Sequence, residues 1–175
     1  NVLAAAGNET TNRLIGWMGK LLAENPDQRR KLVENPALAS IAVEETLRLE
    51  PSGPHAARYL TRDVELHGRT IPKGSVVMLM IGAANRDDRR FPDAERFDLD
   101  RPRQGHLSFG AGIHACVGLA LARLEGRVAL EEVLERFQDW EVDTANLQLS
   151  TTTTVRGWDS MPVFLKATQP RKENA

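Results

Sequence analysis

Cysteine occurs once in this sequence, at Cys116. A single thiol excludes an internal disulfide framework and every zinc or iron–sulfur centre built wholly from cysteine. Long hydrophobic runs are missing too: no apolar stretch approaches the ~20 residues that a membrane span needs. Neither sign of charge dominates. The 23 basic and 24 acidic side chains leave a net charge of -1, so nothing in bulk attracts nucleic acid or an anionic membrane surface. No basic-then-apolar leader opens the chain, and a reducing, cytoplasmic location is expected. Aromatics are scarce at 5%, yet 41% of the 175 residues are hydrophobic and 27% charged. That is the composition of one globular domain rather than of a disordered chain.

What is present begins with a helical period. Leu14, Ile15, Met18, Leu21 and Leu22 recur at three- and four-residue spacing and predict an amphipathic helix reaching about Glu24. It opens at Asn1 with no polar lead-in, so a helix already under way is expected there, with Asn1 as a genuine N-cap the alternative. Pro26 suits a fresh helix start, and helices are expected over 27–34 and 37–49, the second stopped by Glu50-Pro51. The period then changes to two. Strands are expected over 57–61, 64–67 and 75–80, with turns at Gly68-Arg69 and Pro72-Lys73-Gly74. A second strong helix is expected over 116–137, then strands over 140–142, 148–155 and 161–166, with the last six residues frayed.

Residues 82–105 fit neither period. Arginines at 86, 89, 90, 96, 101 and 103 alternate with acids at 87, 88, 93, 95, 98 and 100, and only Phe91, Phe97 and Leu99 interrupt them. The plain reading is a solvated loop laced by weak ion pairs. A loop of this length inside a compact domain often carries a function.

The most specific stretch surrounds the cysteine: Phe109-Gly110-Ala111-Gly112-Ile113-His114-Ala115-Cys116-Val117-Gly118. A lone cysteine is most often a small buried hydrophobe. Gly110, Gly112 and Ala115 also satisfy a dinucleotide-binding pattern, but the strand–helix–strand unit that pattern requires cannot be completed here. A cysteine-phosphatase loop would need an arginine six positions after the cysteine, where Ala122 stands. The chemistry points elsewhere. Backbone N–H groups at a helix start favour a thiolate. Gly110 and Gly112 allow unusual dihedrals and close approach to something flat. Phe109 offers an aromatic face and His114 a polar donor. One thiolate in such a loop suits proximal ligation of haem iron.

This stretch resembles the cysteine-ligand loop of the cytochrome P450 family, F-G-x-G-x-H-x-C-x-G, at all six fixed positions. The resemblance implies haem b as cofactor, with Cys116 as metal ligand and Phe109, Gly110, Gly112, His114 and Gly118 around it. Two further stretches agree in order. Glu45-Thr46-Leu47-Arg48 resembles the family's E-x-x-R, a buried brace behind the haem that the resemblance completes with Arg96. Ala6-Gly7-Asn8-Glu9-Thr10 resembles the A-G-x-(D/E)-T of the distal oxygen-binding helix. There the resemblance gives Thr10 and Glu9 roles in proton delivery, whereas a surface acid and a back-bonded threonine are the plain alternative. Arg58 matches a strand arginine that pairs with a haem propionate. Residues 53–56 and 152–155 match substrate-lining stretches, and 82–105 matches the meander before the ligand loop.

The expected fold is mainly α with small β-sheets (α+β), the C-terminal part of the cytochrome P450 fold from the middle of the distal helix onward. Residues 1–175 are expected to be a single partial domain. The implied activity is a monooxygenase, inserting one oxygen atom of O2 into a small organic substrate. Its electrons would come from a redox partner of the ferredoxin type, with no nucleic acid or membrane involved. The alternative is a truncated, inactive remnant that binds haem weakly or not at all.

Overall fold

The computed structural model describes residues 2–166. Asn1 and the expected fraying of the last six residues lie outside that range. The first helix, α1 (Val2–Glu24), buries Leu14, Trp17, Met18, Leu21 and Leu22. These positions form a single i, i+3, i+4, i+7, i+8 stripe. α2 (Pro26–Glu34) starts on its proline and ends at Asn35, whose N–H caps the Lys31 carbonyl. A 3-10 turn, Pro36–Leu38, takes up the first residues expected in the next helix. α3 (Ala39–Leu49) then runs until Pro51, which lacks the N–H to continue it.

Four two-stranded antiparallel ribbons follow in pieces. β1 (Ala56–Tyr59) pairs with β4 (Val76–Leu79), and β2 (Val64–Leu66) with β3 (Arg69–Ile71). The β2–β3 turn is His67-Gly68, one position earlier than expected. Both residues have positive φ, 49° and 74°, the twist that a two-residue hairpin favours. α4 (Ile81–Ala84) is a single turn at the head of the segment expected to be irregular. α5 (Leu119–Arg136) comes next. It is followed by β5 (Asp139–Val142), β6 (Gln148–Leu149), β7 (Trp158–Ser160) and β8 (Val163–Lys166), paired β5–β8 and β6–β7.

The strand expected over 148–155 stops at Leu149. Thr152 turns its hydroxyl onto the Val155 carbonyl at 2.6 Å, and Ser150 lies 3.3 Å from Thr152. These local bonds offer the backbone an alternative to the sheet.

The core is the meeting of α1, α3 and α5. Gly126 on α5 sits at the crossing: a Cβ there would stand 3.2 Å from side-chain atoms of both Leu14 and Val43. Full burial of leucines such as Leu14, Leu22 and Leu32 stabilises the fold by roughly 1.5–3 kcal/mol each. Residues 85–105 wrap one end of this core. They are less solvated than their charge suggests, because Phe91, Ala94, Phe97 and Leu99 are all buried. Asn85 is fully buried and anchors the wrap: its Nδ2 donates to Ser108 Oγ and its Oδ1 accepts from Leu107 N–H, both at 2.8 Å. The wrap therefore delivers residues 106–118 to one end of α3 and to the start of α5.

Candidate functional site

The cysteine loop is shaped by its glycines. Gly110 has φ +69°, and a Cβ there would lie 3.0 Å from the His114 carbonyl oxygen. Glycine is thus required at 110 by both dihedral and space. Gly112 has φ +61° with open space around it. Residues Gly112–His114 make a 3-10 turn, which the Ala115 N–H closes onto the Gly112 carbonyl at 3.0 Å. The Cys116 N–H then donates to the Phe109 carbonyl at 2.8 Å. This bond ties the aromatic residue to the cysteine.

The helix expected from Cys116 begins three residues later, at Leu119, with Gly118 as its N-cap. The Leu119 N–H points at the Cys116 carbonyl, at 3.4 Å, rather than at the sulfur. Residues 116–118 are a turn, so the thiol stands ahead of the first helical turn instead of within it. Cys116 is free and exposed. A Cβ at Gly118 would lie 3.9 Å from its Sγ, an ordinary van der Waals contact. Ile113 is 98% and Val117 85% exposed, apolar side chains flanking the thiol in sequence.

These features fit a haem iron. Among the described residues no three His, Cys, Asp or Glu side chains group around a metal position. Cys116 offers one soft donor, which suits an iron whose other ligands come from a macrocycle. The glycines clear the backbone away, and the exposed Ile113 and Val117 suit a flat apolar partner.

The brace is present with one change of member. Arg48 Nε and one terminal nitrogen fork onto Glu45 at 2.8 and 2.9 Å, with side chains only 2% and 5% exposed. Arg48 also donates to the carbonyls of Asn85, Ala94 and Arg96 at 2.9, 2.7 and 3.1 Å. Arg96 was expected to complete the brace, and it does so only through that carbonyl. Phe97 is buried and the Arg96 side chain is exposed. The arginine that reaches Glu45 is Arg101, Nε to Oε1 at 3.0 Å.

Of the other predicted residues, Thr10, Glu9 and Arg58 stand apart from the cysteine loop. Thr10 Oγ1 donates to the Ala6 carbonyl at 2.6 Å, and the Thr10 carbonyl accepts from Ser52 Oγ at 2.9 Å. Glu9 lies 3.6 Å from Arg13, which also pairs with Asp159 at 2.7 Å. Arg58 on β1 donates to the neighbouring Ala57 carbonyl at 2.8 Å. His114 is exposed. Among the described residues the side chains of Thr10, Glu9 and Arg58 are not bonded to the cysteine loop, whereas His114 is part of it. α1 is continuous through Gly7.

Two further residues adjoin the cysteine loop and were not singled out from sequence, Glu44 and His106, and both meet Arg123 or its partner. Arg123 Nε and a terminal nitrogen fork onto Glu44 at 2.6 and 2.9 Å, and His106 Nε2 approaches the same carboxylate at 3.3 Å. Burial alone would raise the Glu44 pKa. The nearby His106 ring and the two-point fork from Arg123 outweigh it and hold the carboxyl at about 2. The only sequence signal was a histidine three residues before Phe109 and an acid beside Glu45.

A profile of the cytochrome P450 family matches residues 1–157. The chain belongs to the cytochrome P450 family. Cytochrome P450 107B1 of Saccharopolyspora erythraea is 43% identical over 165 residues, covering 93% of this chain and 41% of that protein. Vitamin D(3) 25-hydroxylase of Pseudonocardia autotrophica is 44% identical over 167 residues, covering 94% and 41%. Among solved structures, cytochrome P450 CYP109Q5 from Chondromyces apiculatus superposes with a TM-score of 0.91 at 39% identity, covering 96% of this chain and 44% of that one. The chain thus spans about two fifths of the length of the curated cytochrome P450 relatives it matches. Its fold is that of a partial cytochrome P450, mixed helix with small sheets. Among the described residues no helix is long and apolar enough to cross a membrane.

Proposed function

We propose that this sequence is the C-terminal, haem-binding part of a haem-thiolate monooxygenase that inserts one oxygen atom of O2 into a small organic substrate. The observation that carries the reading is the free, exposed Cys116 on a loop closed by the Phe109 carbonyl and bent by Gly110 and Gly112. The Pseudonocardia relative, a vitamin D(3) 25-hydroxylase, supports it.

Bound there, haem b supplies the oxygen chemistry, with thiolate ligation favouring O–O cleavage. Cys116 would hold the iron. Phe109, Gly110, Gly112 and Gly118 would shape the proximal cradle, and His114 and Arg58 would donate to the propionates, the arginine by its planar fork. Thr10 holds its hydroxyl proton on Ala6 O. Delivering a proton outward requires releasing that bond, at a net cost of about 1 kcal/mol. Glu9, exposed at the same turn, would resupply it. Electrons come from a separate ferredoxin-type protein, and the enzyme works in the cytoplasm.

The test is oxygen-isotope incorporation by the full-length enzyme with a reducing ferredoxin system and a panel of small organic substrates. Product carrying one labelled atom from O2 is expected. Haem-dependent turnover with label only from water would overturn the reading.

A further inference from the structure

Phe109 is flanked by two side chains that converge on one carboxylate. The Arg123 guanidinium carbon lies 4.8 Å from the Phe109 ring centroid. The His106 ring centroid lies 5.8 Å from it, tilted by 44°. Both then reach Glu44 on α3, Arg123 as a two-point fork and His106 through Nε2. The other histidine nitrogen, Nδ1, accepts from the Ser108 N–H at 3.1 Å. The ring proton therefore sits on Nε2, facing Glu44. That side chain is 5% exposed, and its Nε2 lacks a well-aligned hydrogen bond, so its attraction to Glu44 is largely electrostatic. Ser108 Oγ donates to the Leu47 carbonyl at 2.5 Å. Residues 106–109 are thus fastened to α3 at two places.

The chain of contacts continues to the metal ligand. The Phe109 carbonyl accepts the Cys116 N–H at 2.8 Å, so a displacement of Phe109 displaces the cysteine backbone. Groups one step from a ligand orient it and tune its metal. A cation over an aromatic face is worth about 0.5–1 kcal/mol when exposed and more when desolvated. A forked Arg–carboxylate pair adds geometric specificity to that attraction. Glu44 stays ionised because its pKa is held at about 2.

We propose that Glu44, acting through Arg123 and His106, is a positioning residue that fixes the Phe109 ring and the Cys116 backbone, and so sets the electronic surroundings of the thiolate ligand. This rests on the haem-thiolate reading above. None of the three residues touches iron or substrate in this role.

The experiment uses the full-length protein as wild type, Glu44→Gln, Arg123→Ala and Arg123→Lys. Arg127→Ala is the control, since that residue only approaches Glu131, at 3.8 Å. Two quantities are measured: hydrogen exchange of the Cys116 amide in the haem-free protein, and the haem midpoint potential in the loaded one. Glu44→Gln and Arg123→Ala are expected to speed exchange at Cys116 about tenfold, as loss of one charge-assisted bond would, with protection in the middle of α5 unchanged. Both are expected to move the potential in the same direction, because both release Phe109. Arg123→Lys keeps the charge but not the planar fork, and an intermediate exchange rate is expected. Unchanged exchange at Cys116, with potentials moving in opposite directions as charge removal alone dictates, would overturn the proposal. Failure of the wild type to take up haem would sink the functional reading, and the amide exchange would still decide the positioning role.

Discussion

Replacing Arg101 with alanine removes the second arginine from Glu45. Four interactions go with it: Nε to Glu45 at 3.0 Å, and donations to the carbonyls of Pro92, Asp93 and Arg96 at 2.5, 2.9 and 3.0 Å. The Pro92 and Asp93 carbonyls lie on an exposed stretch and rehydrate when released, so each contributes little. The bond to Glu45 is different. That carboxylate is 5% exposed, and a buried charge-assisted bond is worth about 1.5–3 kcal/mol. Arg48 and the Asp98 N–H remain on Glu45, so the full penalty of about 3–5 kcal/mol for stranding a buried charge does not apply. The expected loss is about 3 kcal/mol, or a fall in melting temperature of roughly 6–12 °C for a chain of this size. Arg96→Ala keeps the carbonyl that Arg48 uses and removes only an exposed side chain, so it should stay within about 0.5 kcal/mol. Thermal and urea unfolding of the two variants side by side is the assay. An Arg96→Ala loss equal to or larger than that of Arg101→Ala would refute the assignment of Arg101 to the brace.

Three other outcomes are expected. Gly110→Ala forces a left-handed alanine, costing about 1–2 kcal/mol, and also presses a Cβ onto the His114 carbonyl. Gly112→Ala bears only the first cost, so haem retention after gel filtration should fall further for Gly110→Ala, and equal retention would contradict the loop geometry. Glu44 has its folded pKa lowered from 4.5 to about 2, so its stabilising contribution is complete above pH 4.5 and lost as pH falls toward 2. Acid titration of stability should therefore be flatter for Glu44→Gln than for wild type in that window, and superimposable curves would rule the pairing out. Thr10→Ala should divert reducing equivalents to peroxide while substrate binding is kept; unchanged coupling would remove Thr10 from proton delivery.

Much of this was legible from residue order because it depends on local period. The stripe from Leu14 to Leu22, the proline-bounded α2 and the acid–base pair Glu45–Arg48 all follow from spacing along one element. The glycines of the cysteine loop were legible for the same reason, since a positive φ is a property of one residue. What was not legible depends on direction in three dimensions. Arg96 and Arg101 are equally charged neighbours in one irregular segment, and it is Arg101 that reaches Glu45. Glu44 reads as a surface acid until α5 and residues 106–109 bring Arg123 and His106 onto it. The strand expected through Thr151–Thr154 failed because hydroxyl-to-backbone bonds outcompeted β propensity. The helix start at 119 rather than 116 reflects a turn held by a single long bond, Leu119 N–H to Cys116 O at 3.4 Å.

The central claim is that Cys116 is a haem-iron ligand through its sulfur. The most direct measurement is the absorption spectrum of the haem-loaded, reduced, carbon-monoxide-bound protein, wild type beside Cys116→Ala. The wild type should show the red-shifted Soret band of thiolate ligation and the variant should lose it. A wild-type band typical of a neutral ligand, or a red-shifted band that survives Cys116→Ala, would contradict the account.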